Sequence, residues 1–175
     1  MKQKAILIVD VQTELVNDKP YQCEKLLSNI QKIMNAAREK SQEVIFIRHN
    51  GCWGDELEPN TSGWEIAKEV SPLEGEMIID KCHNSAFLNT TLHSYLQEKN
   101  ISELVIMGLQ TEYCIDTTVK VAFELGYTVI IPKDTTSTYN NEFMTAHEII
   151  RFYERNIWGN RFAKILTVEQ VIATL

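Results

Sequence analysis

The chain has 175 residues, 44% of them hydrophobic and 23% charged, with a formal net charge of -7 at pH 7 and a pI near 5.1. That length carries one domain with a full core, and the acidic balance excludes the basic face that a nucleic-acid partner requires. No polybasic run suits a membrane surface and no stretch approaches the roughly 20 apolar residues of a membrane span, so a cytoplasmic protein is expected.

The start, MKQKAILIVDVQ, joins basic residues to an apolar run, as a signal peptide does. Asp10 interrupts AILIV too soon for that, and no small-residue cleavage site follows. Residues 5–11 instead predict a first strand, apolar enough to be buried on both faces of a parallel sheet. Residues 22–40 place Leu26, Leu27, Ile30, Ile33, Met34 and Ala37 at helical spacing. EVIFIR (43–48) predicts a second strand. Residues 49–75, rich in glycine and proline, read as loop with a short helix at 64–70.

EMIIDK (76–81) predicts a third strand and the 85–100 stretch a helix, with Thr90 or Asn89 as its start and Asn100 as its stop. ELVIMGL (103–109) follows as a strand, 115–125 as a helix closed by Gly126, and YTVIIP (127–132) as a strand. Residues 142–157 predict a helix with Phe143, Ala146, Ile149, Ile150, Tyr153 and Ile157 inward, and AKILT (163–167) a last strand. Strands alternating with helices mean βαβ units and a mainly parallel sheet with helices on both faces. No repeat or linker divides residues 1–175, which read as one α/β domain.

Ligands of such sheets bind beyond the carboxyl ends of the strands. The polar residues there are Asp10 and Gln12, Arg48 and His49, Asp80 and Lys81, Gln110 to Cys114, and Lys133 and Asp134. Cys23, Cys52, Cys82 and Cys114 form no C-x-x-C pair and have no histidine at zinc-finger spacing, so free thiols are expected rather than a structural metal site. Cys114 falls at the start of the 115–125 helix, where free amides and the helix dipole favour a thiolate and would hold an oxyanion. A cysteine after a strand is more often one more small core residue. As a nucleophile it needs a base, and both His49 and Asp10 end strands on the correct side, with Lys81 available as a cation.

Three blocks extend this reading: ILIVDVQ, IIDKCHNSAFLNTTLHSYL and LVIMGLQTEYCIDTTVKVAFELGYTVIIPKDTTST. In order and spacing they cover nearly the whole chain, which resembles the isochorismatase-like cysteine hydrolases, a superfamily including nicotinamidases and carbamoyl-amide hydrolases. The resemblance implies a Rossmann-like three-layer α/β/α fold with a six-stranded, mostly parallel sheet, and a homo-oligomer, dimer or tetramer. It also implies a catalytic triad of Asp10, Lys81 and Cys114 acting on a small-molecule substrate through a thioester. A cis peptide at Leu109–Gln110 would set the Gln110 amide beside that of Cys114 as an oxyanion hole, with Thr111 bracing the loop.

Nicotinamidases of the family bind a divalent metal through Asp-x-His and a later histidine. Here the corresponding stretch is RHNGCWGDELEPN, in which His49 and Asp55 do not match in order or spacing, and the next histidine is His83. No metal and no cofactor are therefore expected. Members that cleave isochorismate's vinyl ether lack the nucleophilic cysteine, which leaves metal-independent hydrolysis of an amide, carbamoyl or lactam C–N bond. The alternatives are a non-catalytic small-molecule or partner-binding member, a nicotinamidase or an isochorismatase proper. Substrate contacts are expected from Gln12, Leu15, His49, Trp53, Phe87 and Tyr113, with Trp64 in the same long loop as Trp53.

Overall fold

A computed structural model describes residues 3–175; Met1 and Lys2, part of the basic start weighed above, lie outside the described residues. In chain order the elements are β1 (Gln3–Val9), α1 (Thr13–Asn17), α2 (Cys23–Glu39), β2 (Glu43–His49), β3 (Met77–Lys81) and α3 (Leu92–Glu98). Then come β4 (Ile101–Leu109), α4 (Asp116–Glu124), β5 (Thr128–Pro132), β6 (Thr136–Ser137), α5 (Ala146–Phe152), β7 (Lys164–Leu166) and α6 (Val168–Ile172). Every strand pairing is parallel. The sheet order is β3-β2-β1-β4-β5-β7, and the two-residue β6 pairs with β4 to bring the count to seven rather than six.

Alternation along β1 divides the core in two. Ala5, Leu7 and Val9 face one layer with Leu92, Leu96, Val119 and Trp158. Ile6 and Ile8 face the other, against Leu26, Ile30, Ile33 and Met34 of α2 and Val168 and Val171 of α6. Successive strand side chains point to opposite faces, and each fully buried aliphatic side chain contributes roughly 1.5–3 kcal/mol. This continuous burial on both faces is what the apolar run of β1 predicts. No described helix is long and apolar enough to cross a membrane.

Several boundaries differ from the pattern reading. Helix α3 begins at Leu92, shortly after the expected start at Asn89 or Thr90, because the segment before it turns instead of coiling: Asn89 has φ 56°, and the Ala86 amide donates to Thr118 Oγ1 at 3.1 Å. Helix α5 begins at Ala146, where Thr145 and Glu148 form a reciprocal capping box. Phe143 precedes that start and is 83% exposed rather than inward. The 111–115 and 153–158 segments are π-helical, so the run expected over 115–125 begins earlier, at Thr111, before α4, and the run of α5 continues to Trp158, beside the expected end at 157. Of the short helix expected at 64–70, only a 3-10 turn at Lys68–Val70 forms.

Candidate active site

Strand order runs outward from β1 in both directions, through β2 to β3 and through β4 to β5. The crevice at such a reversal is where open α/β sheets bind ligands. Asp10 leaves β1, His49 ends β2, Lys81 ends β3, and Cys114 lies in the turn after β4. Four strand ends thus deliver four side chains to one place.

The backbone around them is closely specified. Gly108 of β4 has φ +128°, and a Cβ there would lie 1.9 Å from the Val9 carbonyl oxygen. Only glycine lets β4 approach β1 so closely just before Asp10. Asp10 itself has φ 52°, and its amide donates to the Ile47 carbonyl at 2.9 Å. The Leu109–Gln110 peptide is cis. Among the described residues the Gln110 amide has no hydrogen-bond acceptor, while its carbonyl takes the Tyr113 and Ile115 amides at 3.2 and 3.1 Å. Thr111 is fully buried, and its hydroxyl donates to the Ser137 carbonyl at 3.1 Å, tying the Cys114 loop to β6.

At the centre sits the Lys81 ammonium, whose side chain is 0% exposed. Its Nζ lies 2.7 Å from Asp10 Oδ2, 3.0 Å from His49 Nδ1 and 3.3 Å from Cys114 Sγ. An ammonium has three protons to donate, and here three acceptors surround it. The second Asp10 oxygen, Oδ1, is buried without a hydrogen-bond partner. Burial first, then the Asp10 charge, push the Cys114 thiol up to about 12, against the opposing pull of Lys81. This reverses the lowering expected from a helix start: Cys114 lies within the π-helical run Thr111–Ile115, and desolvation and the Asp10 carboxylate raise the thiol. Burial and the neighbouring Lys81 charge hold the His49 imidazole below its ordinary range.

Asp10, His49 and Cys114 each offer a ligand atom within 4.8 Å of the others, a spacing a metal ion would use. The same three side chains already converge on the Lys81 ammonium. A metal ion would have to expel that buried cation, so the donor set fits lysine and does not fit a metal.

A cavity of about 200 Å³ opens above the group, lined by Asp10, Leu15, His49, Leu57, Gln110 and Tyr113 among others. A second hollow of about 430 Å³ shares Leu15, His49 and Leu57 with it and extends along Gly51 to Glu56. Of the residues expected to contact substrate, Leu15, His49 and Tyr113 line this space.

Gln12, Trp53 and Phe87 are not brought to it. Gln12 is fully buried, and its amide clamps the ends of β1 and β2: Nε2 donates to the His49 and Trp64 carbonyls, and Oε1 accepts the His49 amide at 2.8 Å. Trp53 is 93% exposed at the tip of its loop, and Phe87 stacks on Tyr127 with ring centroids 6.0 Å apart. Trp64 is buried, with the Arg48 guanidinium 3.3 Å over its ring, a packing role. Two lining residues carry no sequence signal of their own. Leu57 lies in the irregular loop, and Asn84, whose Oδ1 is 3.8 Å from Cys114 Sγ, follows Lys81 by three residues.

The chain matches the family model described as the Isochorismatase domain over residues 4–170. It is 33% identical to the uncharacterized isochorismatase family protein YrdC of Bacillus subtilis, over 98% of this chain and 95% of that one. It is 28% identical to nicotinamidase 3 of Arabidopsis thaliana, over 83% of this chain and 78% of that one. A crystal structure of an isochorismatase from Pseudomonas putida superposes with a TM-score of 0.91 at 28% identity, covering 97% of this chain and 91% of that one.

Proposed function

The chain belongs to the isochorismatase family, and from that premise we propose that it hydrolyses a C–N bond in a small amide, carbamoyl compound or lactam, without a metal. Cys114 is the nucleophile, Asp10 the base and Lys81 the cation between them. The observation that carries this reading is the buried Lys81 ammonium, 2.7 Å from Asp10 and 3.3 Å from the sulfur of Cys114, two residues that line the cavity.

A thiol held at about 12 is protonated near neutral pH, so no thiolate waits for substrate. Deprotonation has to accompany attack, and the unpartnered Asp10 Oδ1 is the acceptor for that proton. As the sulfur bonds to the carbonyl carbon, the proton passes to Asp10 and the carbonyl π pair moves onto oxygen. The Gln110 and Cys114 amides stabilise that oxyanion, and Lys81 stabilises charge on sulfur and carboxylate. Collapse breaks the C–N bond, and Asp10 returns its proton to the departing nitrogen. Water then attacks the thioester, losing a proton to Asp10. The sulfur leaves and recovers that proton as the carboxylic acid forms.

The test is release of ammonia or amine from a panel of primary amides, carbamoyl compounds and lactams. Turnover by the native chain should fall at least about a thousandfold in Cys114→Ala and in Asp10→Asn, with unchanged circular dichroism. Turnover that survives Cys114→Ala would exclude the covalent route.

A further inference from the structure

His49 has no step in the reaction above, yet it is the one side chain that both touches the Lys81 ammonium and lines both hollows. Lysine's ammonium only donates. The ring nitrogen 3.0 Å from it, Nδ1, must therefore be the bare acceptor, and a neutral ring then carries its proton on Nε2. This choice is unusually constrained, since the other two ammonium protons go to Asp10 Oδ2 and Cys114 Sγ. Histidine tautomers follow from the bond made by the opposite nitrogen. A second proton on Nδ1 would point at a buried cation, and burial together with Lys81 already holds the ring below its ordinary range.

Nε2 has no partner among the described residues, and it is not one of the buried polar atoms left unpaired. It therefore keeps some exposure, on a side chain that lines both hollows together with Leu15 and Leu57. We infer that His49 is a specificity-determining residue, locked by Lys81 as the Nε2–H tautomer, which donates to a neutral acceptor on the substrate beyond the scissile bond. That the bound molecule is a substrate rests on the hydrolase reading; the tautomer and the donor rest on the Lys81–His49 contact and the open Nε2.

The substrate class is narrowed accordingly. A fixed N–H donor on a wall shared with Leu15 and Leu57 favours a small amide carrying a ring nitrogen or carbonyl oxygen on its flank. It disfavours one presenting an N–H or an ammonium there, because donor would face donor. The inference also explains why an acyl-transfer site should keep a histidine that is neither nucleophile nor base.

Two measurements test it. A long-range proton–nitrogen NMR spectrum of the full chain at pH 7, with His49 assigned through His49→Gln, should show a neutral ring protonated on Nε2. A proton on Nδ1, or on both nitrogens, overturns the inference. In the Cys114→Ala background, which holds amides unreacted, benzamide is titrated against picolinamide, nicotinamide and isonicotinamide, three isomers that move one ring acceptor around the same frame. At least one isomer should bind about 2–12-fold more tightly than benzamide, the worth of one net hydrogen bond. That excess should vanish with His49→Phe and partly return with His49→Gln, whose side-chain amide donates from a similar position. No isomer binding better than benzamide, whether all four bind or none does, overturns it, as does an excess that survives His49→Phe. Should the native chain hydrolyse no amide while the tautomer and the binding pattern hold, the hydrolase reading falls and the donor role remains.

Discussion

Removing the proposed base should make the nucleophile more reactive towards a simple alkylating agent even as it destroys turnover. The perturbation is Asp10→Asn. In the native chain the Cys114 thiol is raised from 9.0 to about 12, with desolvation first among the causes and the Asp10 charge second. At pH 8 a thiol at 9.0 is about a tenth thiolate, and one at 12 about one part in ten thousand, a thousandfold difference that follows from the definition of pKa. The more basic thiolate is the better nucleophile, with a Brønsted slope of about 0.4–0.5, which returns a factor of roughly 15–30. Native Cys114 should therefore react with iodoacetamide roughly 30–70-fold more slowly than an ordinary exposed thiol. Cys52 and Cys82 are exposed and should be labelled well before it. Asp10→Asn removes the carboxylate while Lys81, which lowers the thiol, stays 3.3 Å from the sulfur, so Cys114 should be labelled several-fold faster than in the native chain. The assay is peptide mass spectrometry of timed, quenched alkylation at pH 8. If Cys114 is labelled ahead of Cys52 and Cys82 in the native chain, a standing thiolate exists and the coupled proton transfer argued above is wrong.

Lys81→Met should cost about 3–5 kcal/mol in urea unfolding, because it leaves the buried Asp10 carboxylate without its cation. The double variant with Asp10→Asn should recover most of that loss, and additive losses would show that the pair is not coupled. Gly108→Ala should destabilise by at least about 3 kcal/mol or prevent folding, since its Cβ would lie 1.9 Å from a carbonyl oxygen at φ +128°; thermal unfolding within a degree or two of the native chain would contradict the close approach. Gln12→Leu should lower stability by about 2–4 kcal/mol by stranding the His49 amide and the His49 and Trp64 carbonyls. A Gln12→Leu protein of native stability with only a raised KM would return Gln12 to the substrate contacts.

What the amino-acid sequence determines here is set by short-range rules. Strand AILIV, the α2 stripe from Leu26 to Ala37 and the alternation of elements follow from side-chain periodicity, which needs no partner to be read. They suffice for a parallel α/β sheet and for the end of it at which polar residues gather. The blocks around Asp10, Lys81 and Cys114 add their own resemblance, and the Leu109–Gln110 cis peptide falls where that resemblance places it. The Thr145–Glu148 capping box was also legible, as T-x-x-E, and would have placed the start of α5 after Phe143.

The tertiary structure alone decided which way each polar group is spent. Gln12 and His49 both stand at strand ends, yet the backbone groups of β2 and Trp64 consume every polar atom of the Gln12 amide, whereas one nitrogen of His49 stays open to the cavity. The thiol's protonation is of the same kind. Its position after β4 predicts a lowered pKa, but burial and a carboxylate delivered from β1 push it up to about 12. Desolvation and Coulomb energy depend on distances between residues far apart in the chain, and periodicity carries no information about those distances.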